Sequence, residues 1–379
     1  MERHATRQAM TGGRGGREGA RERESGARRR FTLTVVCLFA LVILGILLSL
    51  TLGRYPMSPG QILQALRERF LDAAGGLLNR LFGTRLPQAG SGGALTEQML
   101  AIFFNVRLPR VLLACLVGCC LSAAGASYQG VFQNPMASPD ILGASSGAAV
   151  GAALAILLEL DARMVMLFAF GASLLTIAVV MLVSGTARGN KLLRIVLAGI
   201  MISSLCNAGT SFIKLVADPN NILPEITYWL MGSLAKARPE NLSFAVVPMA
   251  IGLAPLILLR WRLNILTLSD DEARTMGVNV GLVRAAVIVC ATLVTAASVS
   301  VSGLVGWVGL VVPHLARRLV GSNYRHLMPA SMLTGALFLL IVDNVSRNLL
   351  LTEIPLGILT AVVGAPFFIW LITRKRDTI

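Results

Sequence analysis

Charge is scarce in this sequence. Of 379 residues only 14% are Asp, Glu, Lys or Arg, where a soluble domain carries about a quarter. Acidic residues are the scarcer half, 19 against 34 Lys and Arg. Histidine occurs three times, as His4, His314 and His326, and the three do not cluster, so no metal site is assigned. No GxxxxGK[ST] is present, which excludes a P-loop of the chain's own, and neither HExxH nor GxSxG occurs. An integral membrane enzyme would need a catalytic constellation, and none is found. The six cysteines (Cys37, Cys115, Cys119, Cys120, Cys206 and Cys290) all lie within apolar runs. Cys115 and Cys119, one helical turn apart, have the spacing to hold a soft metal, but packing as small hydrophobes accounts for them.

What the chain has in excess is apolar residues, 55% of the total. A run of about twenty crosses a bilayer as a helix. Ten stretches read this way, at 31–53, 108–128, 141–158, 164–184, 192–216, 242–259, 282–302, 303–320, 328–349 and 355–373. The expected fold is an all-α polytopic membrane protein of about ten transmembrane helices. The 303–320 stretch stands apart: Pro313, His314, Arg317 and Arg318 leave about fifteen apolar residues, which predicts a broken or shortened helix.

Ahead of the first run, residues 1–30 carry nine arginines and almost nothing apolar. They read as a disordered basic tail, followed by the membrane-spanning domain over 31–376. Residues 54–106 form the longest polar connection. Ser58 stands as N-cap to an interfacial helix in MSPGQILQALRERF, and the Gly-rich 73–94 reads as a flexible insert. A net charge of +15 would suggest nucleic acid in a soluble domain. In a membrane protein Lys and Arg collect instead in cytoplasmic connections. With both termini inside, thirteen Lys and Arg fall in the inner connections and C-terminal tail, and five outside: Arg163, Lys214, Lys236, Arg238 and Arg347. The bias predicts N-in and C-in, and needs no nucleic acid.

The chain is organised around Arg107–Gly151. Two arginines flank a proline in RLPR, a run dense in small residues follows, then the polar break QNPMASPD, then Gly143, Gly147 and Gly151 four apart. Glycines at that spacing give a helix a flat stripe for close approach by another helix. Irregular backbone at Asn134, Pro135, Pro139 and Asp140 cannot face lipid. A faint repeat pairs Arg110–Ala137, ending GVFQNPMA, with Arg284–Ala316, ending GLVVPHLA. The two spans would run in opposite directions, an inverted repeat with the broken segments at Asn134, Pro135 and Pro313 near a pathway. Among intramembrane charges Asp343 stands out, with Arg347 one turn later as a local partner near the outer end of its span. That pairing argues against an ion-coupled secondary transporter, which stays the alternative from another class. LNILTLSDDEARTMGVNVG, within the inner 260–281 connection, has the marks of a short helix: acidic Asp270–Glu272 at its start and Gly277 at its end. It reads equally as a docking surface and as a solvated loop.

RLPR…YQGVFQNPMASPDILGASSGA, LAGI at 197–200, WLMGSL at 229–234, SDDEARTMGV at 269–278, SGLVGWVGLVVPHLARRLVG at 302–321 and EIPLGILTAVVGAPFFIWLI at 353–372 together resemble the FecCD family over residues 31–376. These are permeases of binding-protein-dependent ABC importers for iron-siderophore, haem and cobalamin. The resemblance implies a type II ABC importer permease fold in the cell (inner) membrane, in contact with lipid. It implies a dimer with a second copy or a paralogous permease, ATP-binding cassette subunits and an extracytoplasmic binding protein. The chain itself would bind no cofactor, and ATP and Mg would sit on the partner ATPase. Arg107, Arg110 and Arg347 match arginines that face acidic residues of the binding protein. Asp270, Asp271, Glu272, Arg274 and Gly277 match the loop seated in the ATPase groove, although Ser269 stands where the family usually has glycine. The fifth span lines the pathway in this family. Here Gly199, Ser203, Asn207 and Ser211 fall four apart, a small polar stripe that also suits helix packing.

Overall fold

The computed structural model describes residues 29–53, 57–69, 97–186, 191–268 and 270–373. The tail before residue 29, the 73–94 insert, Ser269 and the basic residues after 373 lie outside them. So do the side-chain placements of Asp270, Asp271 and Arg274.

Helices form at every apolar run. They are α1 (Arg29–Thr51), α2 (59–69), α3 (Glu97–Ile102), α4 (Leu108–Val131), α5 (Ala144–Leu157), α6 (Ala162–Thr186), α7 (Lys191–Val216), α8 (Ile222–Leu230), α9 (Pro239–Leu258), α10 (Arg260–Leu266), α11 (Asp270–Thr275), α12 (Val280–Ser302), α13 (Val308–Val320), α14 (Tyr324–Asn348) and α15 (Leu356–Thr373). Among the described residues, seven are long and apolar enough to cross a membrane: α1, the continuous α3–α4 rod, α6, α7, α9, α12 and α14. α5 and α15 are apolar but shorter. α13 is the shortened helix expected around Pro313, and begins only at Val308.

Local chemistry sets several ends. Ser58 and Gln61 form a capping box at α2, the Ser58 N–H donating to Gln61 Oε1 at 2.9 Å and the Gln61 N–H to Ser58 Oγ at 3.3 Å. Asn279 caps α12 by accepting from the Leu282 N–H at 3.1 Å. The second span begins earlier than its apolar run suggests, because α3 joins α4 through a π-helical turn, Phe103–Arg107. Pro109 cannot donate back to residue 105, and the wider turn absorbs that missing bond.

α4 is the central rod. It packs on α12, α13 and α14 through glycine. A Cβ at Gly118 would fall on the Gly335 carbonyl of α14, and one at Gly125 on the Gly309 carbonyl of α13. Lipid supplies little hydrophobic drive between helices, so close backbone packing supplies the cohesion. The stripe at 143–151 divides its work. Gly147 and Gly151 meet Thr176, Ala172 and Phe168 of α6, while Gly143, at φ 82, turns the chain into α5 beside Ser203 of α7.

Pairs along the helices give their directions. Phe31 of α1 stacks on His326 at the start of α14 with ring centroids 4.0 Å apart, and Ser49 meets Arg347 at its end. These two helices run parallel. α4 runs against them, with Gly130 beside Tyr324 and Arg110 beside Asp343. Arg318 of α13 lies 4.4 Å from the Trp370 ring of α15, which runs parallel to α13 from Gly364 beside Trp307. The starts of α1, α7, α12 and α14 and the ends of α9, α13 and α15 therefore share one end with α10 and α11, here the proximal end. Arg107, Arg110, Arg163, Lys214, Lys236, Arg238 and Arg347 gather at the distal end.

Candidate functional site: a helix junction between two polar ends

Tyr128 Oη and Thr292 Oγ1, 2.8 Å apart, set α12 against α4 near the proximal end. At about 1.5 Å per residue, Ser302 lies roughly 15 Å further on, about midway along α4. There α12 stops, and its end, the turn after α8 and the start of α15 meet. The Ser233 N–H donates to the Ser302 carbonyl at 2.8 Å, the Leu356 N–H to the Gly232 carbonyl at 2.8 Å and the Gly357 N–H to the Met231 carbonyl at 3.0 Å. α8 and α12 end at this junction, α15 begins in it and α13 begins just beyond it. Backbone polar groups at membrane depth are tolerable only when satisfied within the protein, and these are satisfied by one another. Glycine is required here: Gly232 and Gly303 have φ 74 and 66, and a Cβ on Gly232 would stand 2.5 Å from the Leu304 carbonyl. WLMGSL, SGLVGW and EIPLG carry these glycines, but nothing local says that the three motifs touch.

Gly232→Ala is therefore expected to cost about 1–3 kcal/mol in unfolding assays on the detergent-solubilised protein. Gly306→Ala, with open space around its Cα, is expected to be near neutral. Equal melting of the two variants would remove the case for a strained junction.

A cavity of about 500 Å³ opens on the distal side of the junction. Its floor is Ser300–Gly303, and its walls come from α5, α6 and α8, with Trp229 and Tyr228 on one side and Glu159, Asp218, Glu225 and Lys236 nearer the mouth. No single run of residues signals it, because its walls come from four separated segments.

At the distal end, the three arginines matched to docking lie where the span order put them, but their guanidinium groups turn inward. Arg110 is 5% exposed. Its Nε donates to Asp343 Oδ1 at 2.9 Å, and Nη1 and Nη2 donate to the two carboxylate oxygens of Glu353, each at 2.9 Å. Asp343 is wholly buried, with its other oxygen 3.2 Å from Arg347 Nε. Arg347 also donates to Ser49 Oγ at 2.7 Å and Asn344 Oδ1 at 2.8 Å. Arg107 donates to the Leu50 carbonyl at 3.0 Å. A buried charge is stable only when paired, and the acids of this end supply the partners. The local Asp343–Arg347 pair is present as the four-residue spacing suggested. The link to Arg110 and Glu353 ties α4, α14 and the loop before α15 into one cluster. Arg163 and Arg238, exposed, line a separate distal groove of about 930 Å³ with Lys236, Asp161 and Glu240.

At the proximal end α11 forms over Asp270–Thr275 and is closed by Gly277 at φ 72, with Glu272 exposed and Ala273 buried. Asn134 and Pro135 lie exposed in the turn after α4, where the Met136 N–H donates to Asn134 Oδ1 at 2.9 Å. Pro313 is buried inside α13. The α7 stripe divides. Residues four apart advance about 40° per step on a 3.6-residue helix. Gly199 is therefore buried against the Ile141 carbonyl and Ser203 sits by Gly143, whereas Asn207 and Ser211 have rotated onto the exposed face.

Residues 41–374 match the model of the FecCD transport family. A probable iron chelatin transport system permease protein of Helicobacter pylori is 42% identical over 275 residues, covering 73% of this chain and 83% of the relative. The molybdate import system permease protein MolB of Haemophilus influenzae is 39% identical over 332 residues, covering 86% and 91%. A solved structure of a metal-chelate type ABC transporter in an inward-facing conformation superposes with a TM-score of 0.77 at 35% identity, over 90% of this chain and 99% of that one.

Proposed function

The chain belongs to the FecCD transport family of ABC importer permeases, and from that premise we propose that it is the membrane subunit through which an iron chelate enters the cell. Two such subunits, or this one and a paralogue, form the pathway between them. ATP is hydrolysed on separate cassette subunits, and an extracytoplasmic protein delivers the substrate. The observation that carries the reading is the family match over residues 41–374, from within α1 to the end of α15. The Lys and Arg bias puts the proximal end in the cytoplasm, and with it α11, whose Asp270, Asp271, Glu272, Arg274 and Gly277 seat in the ATPase.

Docking of the binding protein belongs to the distal end. Arg107, Arg110 and Arg347 would have to exchange their internal partners to take part. Arg163 and Arg238 face solvent already and are the readier contacts.

The iron chelate reading draws on the Helicobacter relative. Molybdate is a second reading, because the Haemophilus relative matches more of the chain at similar identity. In vesicles holding the complete importer with its cognate ATPase and binding protein, ATP-dependent uptake of a labelled ferric siderophore is expected, with haem, cobalamin and molybdate run alongside. Uptake of molybdate alone would replace the substrate, and uptake driven by a proton gradient without the ATPase would overturn the transporter class.

A further inference from the structure

α11 packs on α10 and on the start of α12, and is short enough that its position depends on what holds α10. Besides the buried Leu263, Ile265 and Leu266, two polar side chains fasten α10 to its neighbours. Gln133, in the turn after α4, donates from Nε2 to the carbonyls of Leu266 at 2.8 Å and Leu268 at 3.0 Å. These carbonyls lie at and just past the C-terminal end of α10, where a helix leaves acceptors without intrahelical partners. On the opposite side, Asn264 Oδ1 accepts from the Tyr324 N–H at 2.8 Å, and its Nδ2 donates to Asn323 Oδ1 at 3.0 Å. Asn323 is the residue that opens α14, accepting also from the Arg325 N–H at 3.0 Å. The Tyr324 side chain lies against Gly130 of α4, so the end of α4 and the start of α14 brace each other beneath α10. Gln133 itself sits at φ 49, a backbone conformation that a non-glycine residue keeps only where its surroundings over-determine it.

We propose that Gln133 and Asn264 are positioning residues that lock α10, and through it α11, to the α4–α14 pair, so that movement of the partner ATPase is passed to the spans instead of being taken up by a loose connection. The proposal rests on the importer reading. The α4–α14 pair is suited to carry such movement. Its helices meet at Gly118 and Gly335 in mid-span and are joined by Arg110 and Asp343 at the distal end, so α10 is fastened to a unit that runs the depth of the bundle.

Three variants separate side chain from backbone. Gln133→Gly suits the left-handed backbone and removes both donated bonds. Asn264→Ala removes the clasp on α14. Gln133→Lys keeps a donor long enough to reach the two carbonyls. For the purified chain in nanodiscs, hydrogen–deuterium exchange over 260–278 is expected to quicken roughly tenfold or more in the Gln133→Gly/Asn264→Ala double variant, as the loss of several ordinary hydrogen bonds implies. Exchange in α5 and α6 should stay as in wild type. In vesicles with the cognate ATPase and binding protein, the double variant is expected to keep its ATP hydrolysis while substrate moved per ATP falls severalfold, and Gln133→Lys, which keeps a donor, is expected to move as much substrate per ATP as wild type. Unchanged exchange over 260–278 would overturn the lock. Faster exchange with unchanged transport per ATP would overturn its role in coupling. Should wild type neither bind nor respond to an ATPase, the importer reading itself fails, and the exchange measurement still decides whether these two side chains hold α10.

Discussion

Arg110→Leu is expected to destabilise the protein by about 3–5 kcal/mol, the range for breaking one side of a buried ion pair. The guanidinium is the hub of the distal cluster, making three charge-assisted bonds of 2.9 Å to Asp343 and Glu353. Without it Asp343, wholly buried, keeps only Arg347 at 3.2 Å. Glu353, partly exposed, can turn to water and so adds less to the loss. The loop before α15 also loosens, since its remaining ties to α14 are between Ser346 and Ile354. Asp343→Leu is expected to cost less than Arg110→Leu, because Arg110 keeps Glu353 and Arg347 keeps Ser49 and Asn344. The double variant Arg110→Leu/Asp343→Leu should then be more stable than the sum of the single losses, by a coupling of about 0.5–3 kcal/mol. Unfolding of the four proteins in one detergent, followed by denaturant titration, measures the cycle. Additive losses would show that the two charges do not depend on each other.

A second large effect is expected at the crossing of α4 and α14. A Cβ at Gly335 would fall on the Gly118 carbonyl and on Ser122 Oγ, and a Cβ at Gly118 on the Gly335 carbonyl. Ser122 Oγ is held by its own bond to the Gly118 carbonyl at 2.7 Å, so it cannot swing clear without losing a partner. Overpacking a core ordinarily costs about 1–3 kcal/mol because side chains give way. Here the obstacle is backbone on both helices, and Gly335→Val is expected at or above the top of that range. The helices would have to separate along a line that also carries Gly125 against Gly309. Gly171→Val, on α6 with nothing within 4 Å of its Cβ position, is the matched control and should fold as wild type does. Yield of monodisperse protein and melting temperature read both. A Gly335→Val protein melting with the control would mean that α4 and α14 leave room for a side chain between them.

Much of this architecture is legible in the residues taken in order. Apolar run length dictates which segments become helices, because a lone segment in lipid satisfies its backbone within itself only as a helix. Pro313, His314, Arg317 and Arg318 mark 303–320 as a short helix, although they lie inside α13 and the shortening itself falls at 303–307, before its start at Val308. Asp270–Glu272 and Gly277 mark the two ends of α11 through the preference of helix starts for acids and of left-handed turns for glycine. The four-residue spacing of Asp343 and Arg347 identifies their pairing, and that of Gly147 and Gly151 a close helix contact. All of these are effects of neighbours within a turn or two.

What only the tertiary structure decides is which distant groups meet. Arg110 finds Asp343 233 positions later, and no periodicity in either segment names the other. The arginines that resemble docking contacts turn inward for that reason: burial obliges a charge to take the nearest opposite charge in space, whatever its place in sequence. The α7 stripe divides because four residues overshoot one helical turn, so a line straight in sequence winds from a packed face to an open one. The junction of Gly232, Gly303 and Gly357, the cavity beside it and the hold of Gln133 on α10 all join segments whose separation in sequence is large. Local pattern sets period and polarity, whereas contact across the bundle is set by which faces can approach closely enough to exclude everything else.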